Sequence, residues 1–373
     1  MIQAAIHCVT VASGHRWEVH GYARDRTGGS TETADDGGRG SVRGMETRVL
    51  GRTARNVGVV GLGCWQLGGD WGEVGEDDAL AVLGAAVDAG VTFFDTADVY
   101  GDGRSETLIG RFLRRRGPGA DLTVATKMGR RAKPHVAGAY TLDAFRAWTD
   151  RSRTNLGVER LDLVQLHCPP ADVLSRDATY DALDTLVAEG RVAGYGVSVE
   201  TVAEALTAIA RPHVASIQLV LNVFRRKPLE LVLPAAAAAG VGIVARVPLA
   251  SGLLSGKYDA STVFAATDHR SFNRHGEAFD IGETFSGVPY DVGVAAAQRI
   301  AALTPDGATT AQLALRWILD QPGVTAVIPG ARNPAQARGN AAAADLAPLD
   351  APTLEALRAI YDETIREHVH ARW

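Results

Sequence analysis

The feature that most constrains this chain is an alternation that repeats eight times. Short apolar runs rich in Val, Ile and Leu stand at 58–63, 91–95, 122–127, 161–167, 192–197, 214–219, 241–246 and 324–329. Among them lie Ala- and Leu-rich segments of helical period near 76–89, 104–115, 141–156, 177–188, 201–210, 228–239, 309–319 and 333–343. A short, continuously apolar run suits a strand buried on both faces, and alternation with helices builds a parallel sheet with the helices outside it. Eight of each closes such a sheet on itself, so the sequence predicts an α/β protein with a (β/α)8 TIM-barrel fold. The interval between the seventh and eighth strands is long, and 258–291 within it has no helical period, which predicts an extended loop at the barrel rim. A C-terminal helix over 351–367, with Leu354, Leu357, Ile360 and Tyr361 on one stripe, is expected to pack outside the barrel.

Residues 1–44 stand apart. Thr27 to Gly44 is polar and Gly-rich, too poor in apolar surface to offset the entropy of ordering, so 1–44 is expected to be a disordered extension and 45–373 the barrel. Met45 opens the folded part and is expected to be the natural start, which N-terminal sequencing of the native protein would test. A formal charge of −5 and only the short basic run Arg114 to Arg116 give no electropositive stripe, so no nucleic-acid partner is expected. Three scattered cysteines, Cys8, Cys64 and Cys168, form neither a disulfide framework nor a thiolate metal site. With no signal segment and no apolar stretch of the ~18 residues a span needs, the expected location is the cytoplasm, away from membranes. His368 and His370 read as a solvated terminal pair that does not by itself close a site, so no metal is expected. Oligomeric state stays open.

Three catalytic signatures are approached and missed. Gly61-Leu-Gly63-Cys-Trp-Gln66 has Gln66 where a dinucleotide-binding turn needs its third glycine. Ser251 to Tyr258 lacks both the first Gly and the final Ser/Thr of a phosphate loop. Gly196-Val-Ser198-Val-Glu200 lacks the closing Gly of a nucleophile elbow.

The strand ends carry a stronger pattern. Asp95, Lys127 and His167 close the second, third and fourth predicted strands, and Tyr100 follows five residues after Asp95. In a barrel these ends converge on one rim, where catalytic side chains come from several strands. Taken one by one, the Asp is explained as a helix cap, the Lys as a rim charge and the His as a packed turn residue. Together they form an acid assembly. An ammonium at Lys127 favours the phenolate of Tyr100, Asp95 keeps Lys127 charged, and His167 donates a hydrogen bond to a substrate carbonyl.

The segments Phe93-Phe-Asp95-Thr-Ala-Asp-Val-Tyr100-Gly101, Ser105-Glu106, Ala125-Thr-Lys127 and Leu163-Val-Gln-Leu-His167 resemble the aldo-keto reductase superfamily over about residues 46 to 345. The resemblance implies an NADP(H)-dependent reduction of an aldehyde or ketone, with Asp95, Tyr100, Lys127 and His167 as catalytic tetrad and Tyr100 as general acid. It also implies that Ser198 and Gln218 hold the nicotinamide carboxamide, although Val199 replaces the Asn that usually follows that Ser. Pro248, Leu249, Ser251, Gly252, Leu253, Gly256 and Lys257 resemble the loop that wraps the pyrophosphate. Gly330, Arg332, Gln336 and Asn340 resemble the adenosine-phosphate site. There the physics also reads independently, since a Gly turn leading into a helix N-terminus favours an anion and Arg332 can clamp a 2′-phosphate. Trp65 and Trp71, after the first strand, are candidates for the substrate wall. Two alternatives remain: a sugar or alcohol dehydrogenase using the same residues oxidatively, or a cofactor-sensing regulatory subunit of the same fold. The partner is a small carbonyl or alcohol compound whose identity lies in the loops.

Overall fold

The computed structural model describes residues 44–69, 74–117 and 121–373; the expectations for residues 1–43 and for Trp71 lie outside them. The eight parallel strands are Leu62–Gly63, Phe93–Asp95, Thr123–Met128, Leu163–His167, Tyr195–Ser198, Val214–Val220, Gly242–Arg246 and Val324–Val327. Each pairs with the next in sequence order. Parallel bridges from Val60 to Val327 and from Gly63 to Gly330 join the last strand to the first and close the barrel. The predicted fold is the observed one.

The helices form where their caps are written. Thr201 with Glu204, and Thr309 with Gln312, make reciprocal capping boxes for Val202–Ile209 and Thr310–Leu319. Gly157 and Gly240, in the left-handed conformation, end Leu142–Leu156 and Pro228–Ala239. The C-terminal helix runs through Ala351–Ile360 and continues to Val369, burying Leu357, Ile360 and Tyr361 as its stripe predicts. Among the described residues no helix is long and apolar enough to cross a membrane.

Two expectations need correction. The run 58–63 is not one strand: Asn56–Gly58 pairs antiparallel with Thr47–Val49, and the barrel strand is Leu62–Gly63. Residues 57–62 are buried throughout, so the apolar run continues across the break, and periodicity does not distinguish one buried strand from two consecutive ones. The hairpin seals the end of the barrel where the strands begin. Arg52 in its turn donates to the carbonyls of Arg211, Pro212, Val214 and Ala239, and Leu50 and Val57 enter the interior with Phe93, Leu163, Val244 and Ala326. Full burial of such side chains stabilises by roughly 1.5–3 kcal/mol each.

The second correction concerns 258–291. Its final residues already belong to a helix, Tyr290–Ala301, whose buried stripe of Gly293, Val294, Ala297 and Ile300 is built largely from small residues and gives a weak periodic signal. The rest is compact without being periodic. Asn273 accepts from the backbone N–H groups of Ala278 and Phe279, Asp268 binds the backbone and guanidinium of Arg270, and Ser251 Oγ bonds Glu283 O and Phe285 N. Polar side chains thus satisfy backbone groups that a helix would pair internally.

Candidate active site

Asp95, Lys127 and His167 end consecutive barrel strands, and the register aligns Gly63 with Asp95, Lys127 with Gln165, and His167 with Ser198 and then Gln218. Their side chains therefore meet at one rim. Lys127 Nζ lies 2.5 Å from Asp95 Oδ1, 2.9 Å from Thr96 O and 3.3 Å from the Tyr100 hydroxyl. The second carboxylate oxygen of Asp95 accepts from Gln218 Nε2 at 2.7 Å and from Gln165 Nε2 at 3.2 Å. The His167 ring stands edge-on to the Tyr100 ring, with centroids 5.9 Å apart.

Burial dominates the electrostatics. It works against the Lys127 ammonium, but Asp95 and Tyr100 outweigh it and hold the lysine above its ordinary value. The expectation for Tyr100 is reversed. Burial raises its phenol, and although Lys127 pulls downward, the result stays above the ordinary tyrosine value. The resting hydroxyl keeps its proton, as a donor must. His167 is held well below the ordinary histidine value by burial, with Arg130, Lys127 and Arg246 adding to it, so its ring is neutral.

The loop bearing Tyr100 is fastened from behind. Thr96 Oγ1 donates to Ser105 Oγ, which donates to Cys64 O, while the buried Glu106 carboxylate accepts from Thr126 and Asn155. These bonds explain Ser105-Glu106 as scaffold. Gly101 has φ +58°, and a Cβ there would come 2.2 Å from Gly68 O, so only glycine lets the loops after the first and second strands touch.

A cavity of about 590 Å³ opens at this rim. At one end are Asp95, Tyr100, His167 and Gln218, and it extends between the segments that follow the seventh and eighth strands. Pro248, Leu249, Ser251, Gly252, Lys257, Gly330, Arg332, Gln336 and Asn340 line it. The last two sit on Pro334–Ala341, whose N-cap Asn333 accepts from Gln336 N. Arg332 and Lys257 are exposed.

Of the predicted residues, Lys127 is buried behind the wall, and three expected to hold the cofactor are not on it either. Ser198 is buried with its Oγ 3.6 Å from Cys168 Sγ, Leu253 packs inward, and Gly256 ends a helical turn in the left-handed conformation. Trp65 lines the cavity, its ring 6.0 Å from that of Tyr100 and 5.8 Å from that of Phe279.

Sequence reasoning passed over Gln66, Arg246, Tyr258, Arg270 and Glu283, all on the wall. Arg246 was findable, since it closes the seventh strand just as Asp95 closes the second. Glu283 comes from a non-periodic segment and carries no such signal. Three buried polar atoms of wall residues, Arg246 Nε, Gln66 Oε1 and His167 Nδ1, have no hydrogen-bond partner among the described residues. Unpaired buried polar atoms are costly, so a polar ligand fits this cavity.

A closed eight-stranded barrel with a Tyr-Lys-Asp-His rim beside a deep cavity defines a class of barrel oxidoreductase sites. The family model described as the aldo/keto reductase family matches residues 59–362, and this chain belongs to that family. It is 30% identical over 298 residues to the aldo-keto reductase YhdN of Bacillus subtilis, covering 78% of this chain and 86% of that protein. Among solved structures, a glycerol dehydrogenase of Gluconobacter oxydans superposes with a TM-score of 0.69 at 28% identity, over 86% of this chain and 95% of that one. An aldo/keto reductase of Klebsiella pneumoniae in complex with NADP and acetate gives 0.61 at 25% identity, over 85% and 95%.

Proposed function

We propose that this protein is a cytoplasmic, NADPH-dependent reductase of an aldehyde or ketone, with Tyr100 as the general acid. The observation that carries the reading is the Tyr100 hydroxyl held 3.3 Å from a fully buried ammonium at the mouth of the cavity. The NADP named for the Klebsiella relative supports the cofactor. Its adenosine end fits Arg332, Gln336 and Asn340, and its diphosphate fits the backbone of 248–252 with Lys257 nearby. Gln218 spends its amide nitrogen on Asp95, which leaves its amide oxygen for a carboxamide N–H.

When bound, NADPH supplies the hydride that reaches the carbonyl carbon. The chain does the rest. His167, neutral and on the wall, orients the carbonyl oxygen by donating to it, and Tyr100 releases its proton to that oxygen as negative charge grows there. Lys127, fixed by Asp95, then stabilises the phenolate left behind. Trp65, its ring packed edge-on to that of Phe279, gives the substrate an apolar wall. The likeness to a glycerol dehydrogenase favours a second reading, in which the same residues work in reverse on an alcohol.

A spectrophotometric screen of NADPH oxidation against aldehydes, ketones, ketosugars and quinones tests the proposal. Turnover that persists undiminished in Tyr100→Phe would remove Tyr100 from the acid role.

A further inference from the structure

We infer that Arg246 makes this site discriminate between the two oxidation states of its cofactor, holding NADPH more tightly than NADP+. The inference rests on the reading above and concerns a residue outside the tetrad. Arg246 is the last residue of the seventh strand, paired with Val220, two positions beyond the Gln218–Val244 pair along the barrel axis. It lines the cavity with Tyr100, His167 and Gln218.

The residue is 8% exposed, and its side chain is fixed on one edge. Nη2 donates to Glu200 Oε2 at 2.8 Å and to Val199 O at 3.1 Å, and Nη1 stands 3.7 Å from Glu283 Oε1. Its Nε is buried and has no hydrogen-bond partner among the described residues.

The chemistry follows from where the hydride must go. A hydride donor has to lie against the carbonyl carbon whose oxygen Tyr100 protonates, so the reacting ring shares this end of the cavity with Arg246. Reduction transfers two electrons and one hydrogen nucleus from that ring to the carbon and one proton from Tyr100 to the oxygen. A neutral ring thereby becomes a cation. The charges around it are otherwise balanced: Lys127 is paired with Asp95, and Tyr100 and His167 are neutral. The charge that meets a ring uncharged before the reaction and positive after it is therefore the sum over Arg246 and the groups ion-paired around it.

Arg246 belongs to a cluster with Arg130, Glu200 and Glu283, in which Arg130 lies 3.0 Å from Glu283 and 3.6 Å from Glu200. Despite burial, the two guanidiniums hold Glu283 ionised. Glu200 is pushed up to about 7 by burial, with Arg246 opposing and Glu283 and Asp280 adding to it. Cys168 and Arg225 also face it. Below that pH the cluster carries one net positive charge, from two guanidiniums and one carboxylate; above it the cluster is neutral. Discrimination against NADP+ therefore weakens as pH rises.

The test is a pair of binding titrations, NADPH by its fluorescence enhancement and NADP+ by quenching of tryptophan emission, at about pH 6 and about pH 8. For the wild type the dissociation constant for NADP+ should exceed that for NADPH by about tenfold at the lower pH and by less at the higher. Arg246→Lys should keep the preference. Arg246→Gln combined with Glu200→Gln, which leaves no unpaired buried carboxylate behind, should bring the ratio close to one. Failure of the wild type to bind either form would sink the reductase reading and this inference with it. Binding of both forms with a wild-type ratio near one would overturn the inference alone, without recourse to any variant. So would an unchanged ratio in the folded double variant.

Discussion

The Lys127 ammonium lies 2.5 Å from the Asp95 carboxylate, and both side chains are almost sealed from solvent. A buried pair of this kind gains little over an apolar pair, but either half alone is an unpaired charge in a poorly polarisable interior. Lys127→Met should therefore lower stability by about 3–5 kcal/mol in urea unfolding, and Asp95→Asn added to it should restore much of the loss. A single variant as stable as the wild type would contradict the charge state assigned here.

Tyr100→Phe removes only the hydroxyl from a ring otherwise held by Trp65, Lys127 and His167. Turnover should fall by about two to four orders of magnitude, the usual share of general acid catalysis, while NADPH titrates as before. Single-turnover kinetics with equilibrium binding on the same samples separates the two effects.

Asp98, two residues before Tyr100, is fully buried, and among the described residues no side chain donates a hydrogen bond to its carboxylate. Burial, reinforced by Glu106 and opposed by Arg131 and Arg151, lifts it to about 7. An acid whose pKa is higher folded than unfolded binds more protons when folded, so stability falls as pH rises from about 4 to about 7. Asp98→Asn should abolish that loss, raising stability at pH 8 by up to roughly 4 kcal/mol and changing little at pH 4. Thermal melts of both proteins across this range check it; parallel curves would refute the assignment.

Arg332 stands exposed at the cavity wall beside the helix Pro334–Ala341. If it clamps a 2′-phosphate, Arg332→Ala should weaken NADPH by about ten- to a hundredfold and leave NADH nearly unaffected. Calorimetric titration with both dinucleotides measures this. Equal losses for the two would move the phosphate elsewhere.

Much of this was legible in the residues. The eightfold alternation fixes the barrel because parallel strands buried on both faces have few other arrangements, and Asp95, Lys127 and His167 are found by the rule that strand ends converge. What stayed hidden depends on neighbours distant in sequence. Gly58 reads as the start of a barrel strand until the pairing of Asn56–Gly58 with Thr47–Val49 is seen, and Ser198 ends a strand like its fellows yet turns toward Cys168 instead of the cavity. The sign of the Tyr100 shift was misjudged because the pull of Lys127 is visible in sequence whereas the depth of burial is not. Glu283 reaches the wall through a segment whose order comes from side-chain bonds and leaves no period to detect.

The 47–58 hairpin, with Arg52 capping carbonyls and Leu50 and Val57 filling the interior, makes the vessel one-ended. Whatever reaches Tyr100 arrives through the same doorway by which product and spent dinucleotide leave. Order of entry and exit is then enforced by queueing: whichever molecule lies deeper must arrive first and depart last.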